Sequence, residues 1–222
     1  MIEHAPRSRH AARPEATGTE ASGVTSAMAD AVSLRLATHD DIPALSRLIV
    51  DSARELSRGF YTEAETESAI RYVFGVDSAL IQDGTYLVAT LEGQLAGCGG
   101  WSKRNTLYGG DQRPMGEALL LDPAVDPARI RAFFVAPTAA RRGVGRALLA
   151  ECARSAARAG FRSLTLMATL PGVPFYAALG FHEDEHVVDM LPDGTPLAFV
   201  RMSKAIAADR DQNPGPFPER VP

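Results

Sequence analysis

Short apolar runs, some alternating with polar residues and some continuous, are spaced along the chain between Gly, Pro and Asp residues. Runs of this length and composition predict β-strands. The predicted strands cover residues 33–37, 85–91, 94–101, 129–135, 163–167, 183–189 and 197–203. Two of the connections, at Glu92-Gly93 and around Asp193-Gly194, are short enough to form antiparallel hairpins.

Longer segments between these runs carry apolar residues at helical spacing. The first opens at Thr38 with Pro43 in its first turn, and the second opens with a capping-box pattern from Thr62 to Glu65. The predicted helices cover residues 39–56, 62–74 and 144–159, with a shorter one ending at Gly180. The third joins two strands, and a right-handed crossover there makes those strands a parallel pair.

A glycine turn rich in arginine separates the strand at 129–135 from the helix at 144–159, and from residue 141 it reads RRGVGR. Glycine lets the backbone approach a bulky anion, and the first turn of a helix presents unpaired N–H groups and the positive end of its dipole. The turn therefore favours a phosphate site over a plain strand-to-helix connection on a basic surface. It lacks a Gly-x-x-x-x-Gly-Lys motif, and Leu148 stands where a dinucleotide fingerprint needs its third glycine.

Two motifs in this order and spacing resemble the GNAT family, the Gcn5-related N-acetyltransferases. The family's acetyl-CoA loop reads Arg/Gln-x-x-Gly-x-Gly/Ala, and the frame from Ala140 to Gly145 matches it except at Ala140. The family's second signature, Phe-Tyr-x-x-x-Gly-Phe, matches residues 175–181. Over residues 33–206 the resemblance implies an α+β (mixed α/β) fold. Its central sheet would be twisted and mostly antiparallel, with a parallel strand pair at the CoA site and helices on both faces.

The resemblance also implies a reaction and its site residues. Acetyl-CoA would be the acyl donor, with no metal, and its acetyl group would pass to a primary amine that attacks the thioester directly. Tyr176 would be the general acid that protonates the leaving thiolate, and the backbone N–H near Val135 would polarise the thioester carbonyl. The residues expected to bind the cofactor are Phe134, Val135, Arg141, Arg142, Gly143, Val144, Gly145, Arg146 and Thr169.

The general base is less well defined. An alkylamine of pKa about 10.4 must lose a proton before it attacks, at a cost of roughly 4.6 kcal/mol at pH 7. Family members often place a glutamate on the strand before the CoA loop, whereas the matching strand here has no carboxylate. Glu117, Asp122 and Asp126 precede that strand and are candidate bases acting through water, although each is also a typical solvated loop charge.

Aromatic residues near the first two helices and the loop at 103–127 are candidates for the acceptor pocket, which those helices border in the family. The candidates are Phe60, Tyr61, Trp101 and Tyr108, with packing at a helix junction as the alternative for the first two. The leading prediction is a small-molecule amine acceptor. The alternatives are a protein N-terminal or lysine acetyltransferase, and a non-catalytic acyl-CoA-binding module.

The sequence leaves two alternatives open for each of two segments in the middle of the chain. Glycines at 97, 99 and 100 weaken a predicted strand, which indicates either a β-bulge or a close approach to the strand's backbone. The loop at 103–127 is either a lid over the acceptor site or mobile, and we expect partial disorder with an ordered anchor near residues 119–121.

Composition and charge narrow the function classes. Hydrophobic residues make up 45% and charged residues 23% of the chain, which is typical of a folded domain. The net charge of −4 argues against a general nucleic-acid binder, and no apolar run approaches the roughly 20 residues that span a membrane. Residues 1–31 and 207–222 have the composition of disordered tails, which predicts one domain at 32–206. The two cysteines form no framework, which favours the cytoplasm, and a homodimer is left open.

Overall fold

The computed structural model describes residues 32–113 and 118–206. The predicted tails at 1–31 and 207–222 lie outside these residues, as does the candidate base Glu117. Within the described part, seven strands form one sheet in the order β1-β2-β3-β4-β5-β7-β6. The strands are β1 (Ser33–Leu36), β2 (Tyr86–Leu91), β3 (Gln94–Ser102), β4 (Ala128–Val135), β5 (Ser163–Thr169), β6 (His182–Met190) and β7 (Pro196–Ala205).

The strand directions confirm the predicted fold class. β4 and β5 run parallel, whereas the other neighbouring strands pair antiparallel. The parallel pair flanks the glycine turn, as a crossover through one helix requires. The protein is therefore an α+β fold with a mixed, mostly antiparallel sheet.

In the described part of the chain, five α-helices accompany the sheet: α1 (Ile42–Leu56), α2 (Glu63–Tyr72), α3 (Ser78–Gln82), α4 (Val144–Arg158) and α5 (Val173–Ala178). The sequence predicted four of them and missed α3, which has too few residues to show a helical period. Asp77 caps its start, with the carboxylate accepting from the Leu80 N–H at 3.4 Å, and a contact that is distant in sequence adds to this cap. The Asp111 carboxylate accepts hydrogen bonds from the backbone N–H and the hydroxyl of Ser78, both at 2.9 Å.

The predicted capping box of α2 is present. The Glu65 N–H donates to the Thr62 hydroxyl at 3.2 Å, and the Glu65 carboxylate accepts from the Thr62 N–H at 2.7 Å. This reciprocal pair satisfies amides that a helix start otherwise leaves open, and it fixes the point where the chain turns from α1 into α2. The α1–α2 junction lies beside the cleft described below.

The helices cover both faces of the sheet. Side chains alternate along β4, so that Phe134 meets Phe74, which follows α2, at a ring-centroid distance of 5.7 Å. On the opposite face Phe133 meets Phe175 of α5 at 6.3 Å. α4 shares this second face, because a Cβ added at Gly145 would lie 3.0 Å from the Phe175 ring. The core strand β4 therefore has the first two helices on one side and α4 and α5 on the other.

Candidate active site

β4 and β5 pair only at their first residues and then diverge. Their parallel register joins Ala128 to Leu164 and Arg129 to Thr165. Beyond this point β4 continues along β3, and β5 continues along β7 as far as the pair Thr169–Phe199. A gap therefore opens in the middle of the sheet, toward the end from which the glycine turn leaves β4.

A β-bulge lies in β4 beside this gap. The register between β3 and β4 shifts between Cys98 and Gly100, where β4 holds one extra residue. Ala132 lies in the bulge with a left-handed φ of 49°, and its carbonyl accepts a hydrogen bond from the Tyr86 hydroxyl at 3.1 Å. Because Tyr86 is fully buried, the bulge is held from within the core.

The glycine of β3 opposite the bulge has no room for a side chain. A Cβ at Gly99 would lie 2.3 Å from Cδ2 of Phe133. The sequence left a bulge and a close backbone approach as alternatives for these glycines, and both are present. The extra residue itself lies in β4, where no glycine signals it.

The backbone amide of Val135 points into the gap. The N–H of Ala136 donates to the Ala96 carbonyl of β3 at 2.8 Å. Successive amides of an extended strand point to opposite sides, so the Val135 N–H points away from β3, toward the space that β5 has left. An amide in this position can donate to an oxygen of a ligand bound between the two strands.

The glycine turn has the geometry of an open helix start. Arg141 and Gly143 have left-handed φ values of 66° and 85°, and α4 begins at Val144. The N–H of Ala147 donates to the Gly143 carbonyl at 3.0 Å, so the N–H groups of Val144, Gly145 and Arg146 have no acceptor within the helix. The Arg142 N–H instead donates to the Ala139 carbonyl at 3.4 Å. Gly143 is exposed, and a Cβ there would meet nothing within 4 Å. The turn thus offers N–H donors and a helix dipole to an anion.

The arginines of the turn have different surroundings. Arg141 and Arg146 are exposed and line the cleft that passes the turn. Arg142 instead forms an ion pair with Glu92 of the β2–β3 turn. The expected side-chain contact with a phosphate therefore fits Arg141 and Arg146, while the Arg142 side chain binds the neighbouring hairpin.

A continuous cleft of about 720 Å³ runs from the glycine turn, through the gap between β4 and β5, to the ends of α1 and α2. It brings most of the predicted site residues together. Those that line it are Phe60, Tyr108, Phe134, Val135, Arg141, Gly143, Val144, Gly145, Arg146, Thr169 and Tyr176. Tyr61, Trp101 and Arg142 are not among the described residues of the lining.

Tyr176 lies on α5 with its ring in an aromatic cluster at the edge of the cleft. The ring centroids of Phe175, Phe181 and Phe133 lie 5.0, 5.5 and 6.3 Å from that of Tyr176. Burial, with a smaller effect of Cys152, raises the pKa of Tyr176 above the usual value of about 10. The phenol therefore keeps its proton at neutral pH and can donate it.

Two of the four predicted acceptor residues have packing roles instead. The Tyr61 hydroxyl donates to the Ala198 carbonyl at 2.6 Å and accepts from the Leu170 N–H at 2.9 Å, which ties the α1–α2 junction to β7. Trp101 is buried in the core, with its ring 5.7 Å from that of Phe161. Burial raises the pKa of Tyr61 to about 12, as expected of a structural phenol.

The loop after β3 is docked against the cleft, which the sequence left undecided. The N–H of Asn105 donates to the Leu119 carbonyl at 3.0 Å and the N–H of Leu121 to the Lys103 carbonyl at 2.8 Å, so the anchor expected near 119–121 is present. Tyr108 packs against Phe199 at a ring-centroid distance of 5.4 Å. In the described part of the loop, Tyr108 is thus held over β7 as a wall of the cleft.

A buried ion pair beside the cleft escaped the sequence analysis. Arg131 Nη2 lies 2.8 Å from Asp77 Oδ2, and the two side chains are 7% and 4% exposed. Arg131 also donates to the Gly109 carbonyl. Burial raises the pKa of Asp77 against the opposing effect of Arg131. The pair joins α3 and the loop after β3 to the bulged strand β4. In the sequence, the only indication of a buried ion pair was a charged residue inside the apolar β4 run.

Asp122 and Asp126, the candidate general bases in the described part of the chain, do not line the cleft. Asp122 accepts from the Ala124 N–H at 2.9 Å, and Asp126 accepts from the Asp122 N–H at 2.8 Å, so both carboxylates cap a turn. Neither belongs to the described lining, whose charged side chains are all arginines.

The described residues contain neither a metal-binding cluster nor a membrane-spanning helix. Within residues 32–113 and 118–206, no group of three or more His, Cys, Asp or Glu side chains is placed to hold a metal ion. In the same residues no helix has the length and apolar character needed to cross a bilayer. Cys98 and Cys152 are buried free thiols.

The profile of the Acetyltransferase (GNAT) family matches residues 49–181, from α1 to the end of the second motif. The chain belongs to the GNAT family. This membership confirms the resemblance carried by the two motifs and the predicted acetyltransferase class. A search of curated proteins returned no match.

Solved GNAT structures from other organisms share the fold. A GCN5-related N-acetyltransferase from Rhodopseudomonas palustris is 23% identical with a TM-score of 0.58, covering 78% of this chain and 94% of that one. YncA from Salmonella typhimurium, solved with its cofactor acetyl-CoA, is 16% identical with a TM-score of 0.52 and coverages of 80% and 95%. A ribosomal-protein-alanine N-acetyltransferase from Brucella melitensis is 21% identical with a TM-score of 0.51 and coverages of 78% and 99%. At these identities the likeness establishes the GNAT fold.

Proposed function

We propose that this GNAT protein transfers the acetyl group of acetyl-CoA to the primary amine of a small molecule, by direct attack of the amine on the thioester. The observation that carries the proposal is the continuous cleft. It has open amides and arginines at one end, a gap between two strands in its middle, and aromatic side chains at the other end.

The cofactor would bind at the glycine-turn end. The pyrophosphate of CoA would bind the amides of Gly143 to Arg146, where a helix dipole and exposed arginines favour a doubly charged group. The pantetheine arm would then lie between β4 and β5, past Thr169, and bring the thioester to the bulge. The structure of YncA, which has the same fold and was solved with acetyl-CoA, supports the proposal that this fold binds the cofactor.

Two groups of the chain would act on the thioester. The Val135 N–H would donate to the carbonyl oxygen, where negative charge develops as the amine nitrogen attacks the carbonyl carbon. A C–N bond forms and the C–S bond breaks. The CoA thiolate, whose conjugate acid has a pKa of about 8.5, would take the phenolic proton of Tyr176. The proton that the attacking amine loses would then pass through water to the Tyr176 oxygen and restore the phenol.

Contacts between the first helices and the last hairpin support a small acceptor over a polypeptide. The Ser68 hydroxyl of α2 lies 2.8 Å and 2.9 Å from the carboxylate oxygens of Asp193 in the β6–β7 turn. Tyr61 adds the bond to Ala198 of β7. These bonds join the first two helices to the last hairpin, where an open groove for a peptide would lie, and they therefore favour a small acceptor.

We also infer that the protein works in the cytoplasm, because Cys98 and Cys152 are both unpaired in the described structure.

Release of free CoA thiol, measured with acetyl-CoA and a panel of amines, tests the proposed activity. We expect release that depends on a small primary amine, with an acetylated amine as the product by mass spectrometry. Release only with a protein N-terminus or a lysine peptide would support the protein-acceptor alternative instead. Binding of acetyl-CoA without turnover on any amine would indicate a non-catalytic acyl-CoA-binding module.

A further inference from the structure

The acceptor end of the cleft is bordered by an apolar wall that we define as Leu56, Phe60, Phe74, Tyr108 and Phe199. Phe60 is 50% exposed and Leu56 is 37% exposed, although both lie inside a concave site. Large apolar side chains that remain open to solvent within a pocket favour a ligand that covers them. The wall continues to the transfer position, because Phe74 packs edge-on against Phe134 of β4, which lies next to the bulge.

The wall is held in place by contacts outside the pocket. Tyr108 packs against Phe199, and the Arg113 guanidinium lies 5.1 Å from the centre of the Tyr108 ring. Arg113 in turn forms an ion pair with Asp189 of β6. The Tyr108 ring is therefore fixed from both sides before any acceptor arrives, and a pre-formed apolar surface loses less side-chain entropy on binding than a mobile one.

The charges of the cleft disfavour an acceptor that carries a second ammonium group. Among the described lining residues the charged side chains are Arg131, Arg141 and Arg146, all of them cationic. Arg131 is committed to Asp77 at 2.8 Å and to the Gly109 carbonyl, so it contributes little net charge to the acceptor end. Arg141 and Arg146 lie at the end proposed for the CoA phosphates. The described lining therefore offers no carboxylate to a second ammonium group, and a polyamine would meet apolar rings at the acceptor end.

We propose that the acceptor is a primary amine carrying an aromatic ring or a comparably broad apolar group, which packs on the apolar wall with Phe60 as the main specificity-determining residue. This inference rests on the proposed acetyltransferase function and narrows its substrate class. The apolar group would lie against Phe60 and Tyr108 while the amine extends toward the thioester beside Phe134.

The test compares three primary amines by thiol release at saturating acetyl-CoA: 2-phenylethylamine, n-propylamine and 1,4-diaminobutane. We expect kcat/KM for 2-phenylethylamine to exceed that for n-propylamine by at least about 10-fold, because a buried apolar group discriminates by that factor or more. Phe60→Ala should reduce kcat/KM for 2-phenylethylamine about 10-fold through KM and reduce that for n-propylamine by a clearly smaller factor, because the shorter chain covers less of the ring. Val188→Ala is the matched control, an exposed apolar side chain on β6 outside the cleft.

The possible failures of this inference and of the proposed function are distinguishable. Turnover of all three amines without preference for the ring, a preference for 1,4-diaminobutane, or an equal loss on every amine in Phe60→Ala would each overturn the apolar-acceptor inference and leave acetyl transfer standing. No thiol release with any amine would contradict the proposed function itself. A loss in Val188→Ala equal to that in Phe60→Ala would show that the effect is not local to the wall, which also overturns the inference.

Discussion

At the scale of single residues, Tyr176 is the side chain on which the proposed chemistry depends most. Its ring is buried against three phenylalanine rings, so removal of the hydroxyl alone should leave this packing intact. We expect Tyr176→Phe to keep its acetyl-CoA affinity within a few-fold of the wild type. Its kcat should fall by about 10²–10⁴, the usual range for loss of acid–base help. Calorimetry with acetyl-CoA and thiol-release kinetics measure the two quantities.

Tyr61 is a matched control for that experiment, since it is also a buried tyrosine. Its hydroxyl bonds two backbone groups, at Ala198 and Leu170. Tyr61→Phe should lower the free energy of unfolding by about 1–3 kcal/mol, because it leaves buried backbone groups without their partner, and should change kcat little. The catalytic role of Tyr176 would be withdrawn if Tyr176→Phe lost affinity and turnover equally, or kept full turnover.

The raised pKa of Tyr176 gives a separate prediction about pH. A general acid acts in its protonated form, and burial disfavours the phenolate, so the phenol stays protonated beyond the usual tyrosine pKa of about 10. The kcat measured at saturating substrates should therefore show no decline from this group between about pH 7 and pH 10. A decline with an apparent pKa below about 10 that disappears in Tyr176→Phe would contradict a buried, neutral acid.

At the scale of elements, the glycine turn makes a prediction that separates ligand contact from backbone strain. Gly143 and Gly194 have nearly the same φ, 85° and 84°, and an added Cβ at either position meets nothing within 4 Å. A valine thus strains the backbone similarly at both positions, but of the two only Gly143 lies in the turn that we propose to bind CoA. We expect Gly143→Val to weaken acetyl-CoA binding at least about 10-fold by calorimetry, since a side chain blocks backbone approach to the pyrophosphate.

The control and the neighbouring glycine sharpen that test. Gly194→Val should bind acetyl-CoA with wild-type affinity, and equal weakening in both variants would attribute the effect to strain alone. Substitution of Gly145 tests cofactor binding less cleanly than substitution of Gly143, although both glycines belong to the motif. A Cβ there would lie 3.0 Å from the Phe175 ring, so a substitution would disturb α5 as well as the turn.

Elements defined by local sequence were predictable. The capping box at Thr62 and the glycine turn at 141–146 depend on residues within one or two turns of chain, and both are present. The bulge in β4 was visible only indirectly, through the glycines of β3. The extra residue is Ala132, whose left-handed conformation depends on a hydroxyl from β2, and the identity of alanine does not encode that contact.

At the scale of the whole molecule, the parts of the site that come from distant segments were the ones the sequence predicted poorly. Tyr61 is drawn to β7 and Arg142 to Glu92, so neither side chain lines the described cleft. Asp77 and Arg131 meet across 54 residues of chain (131 − 77), and no local pattern announces such a pair. The glycine turn was predictable because its N–H donors are consecutive in sequence, whereas the proposed acceptor pocket is assembled from α1, β7, the turns after α1 and α2, and the loop after β3.

The central claim is that acetyl-CoA lies in the gap between β4 and β5 with its thioester between the Val135 amide and the Tyr176 hydroxyl. A crystal structure of the full chain with acetyl-CoA tests this most directly. We expect the pyrophosphate on the amides of residues 143–146, the thioester oxygen within hydrogen-bond distance of the Val135 N–H, and the sulfur within reach of the Tyr176 hydroxyl. A cofactor bound elsewhere on the surface, or a thioester directed away from Val135 and Tyr176, would contradict it.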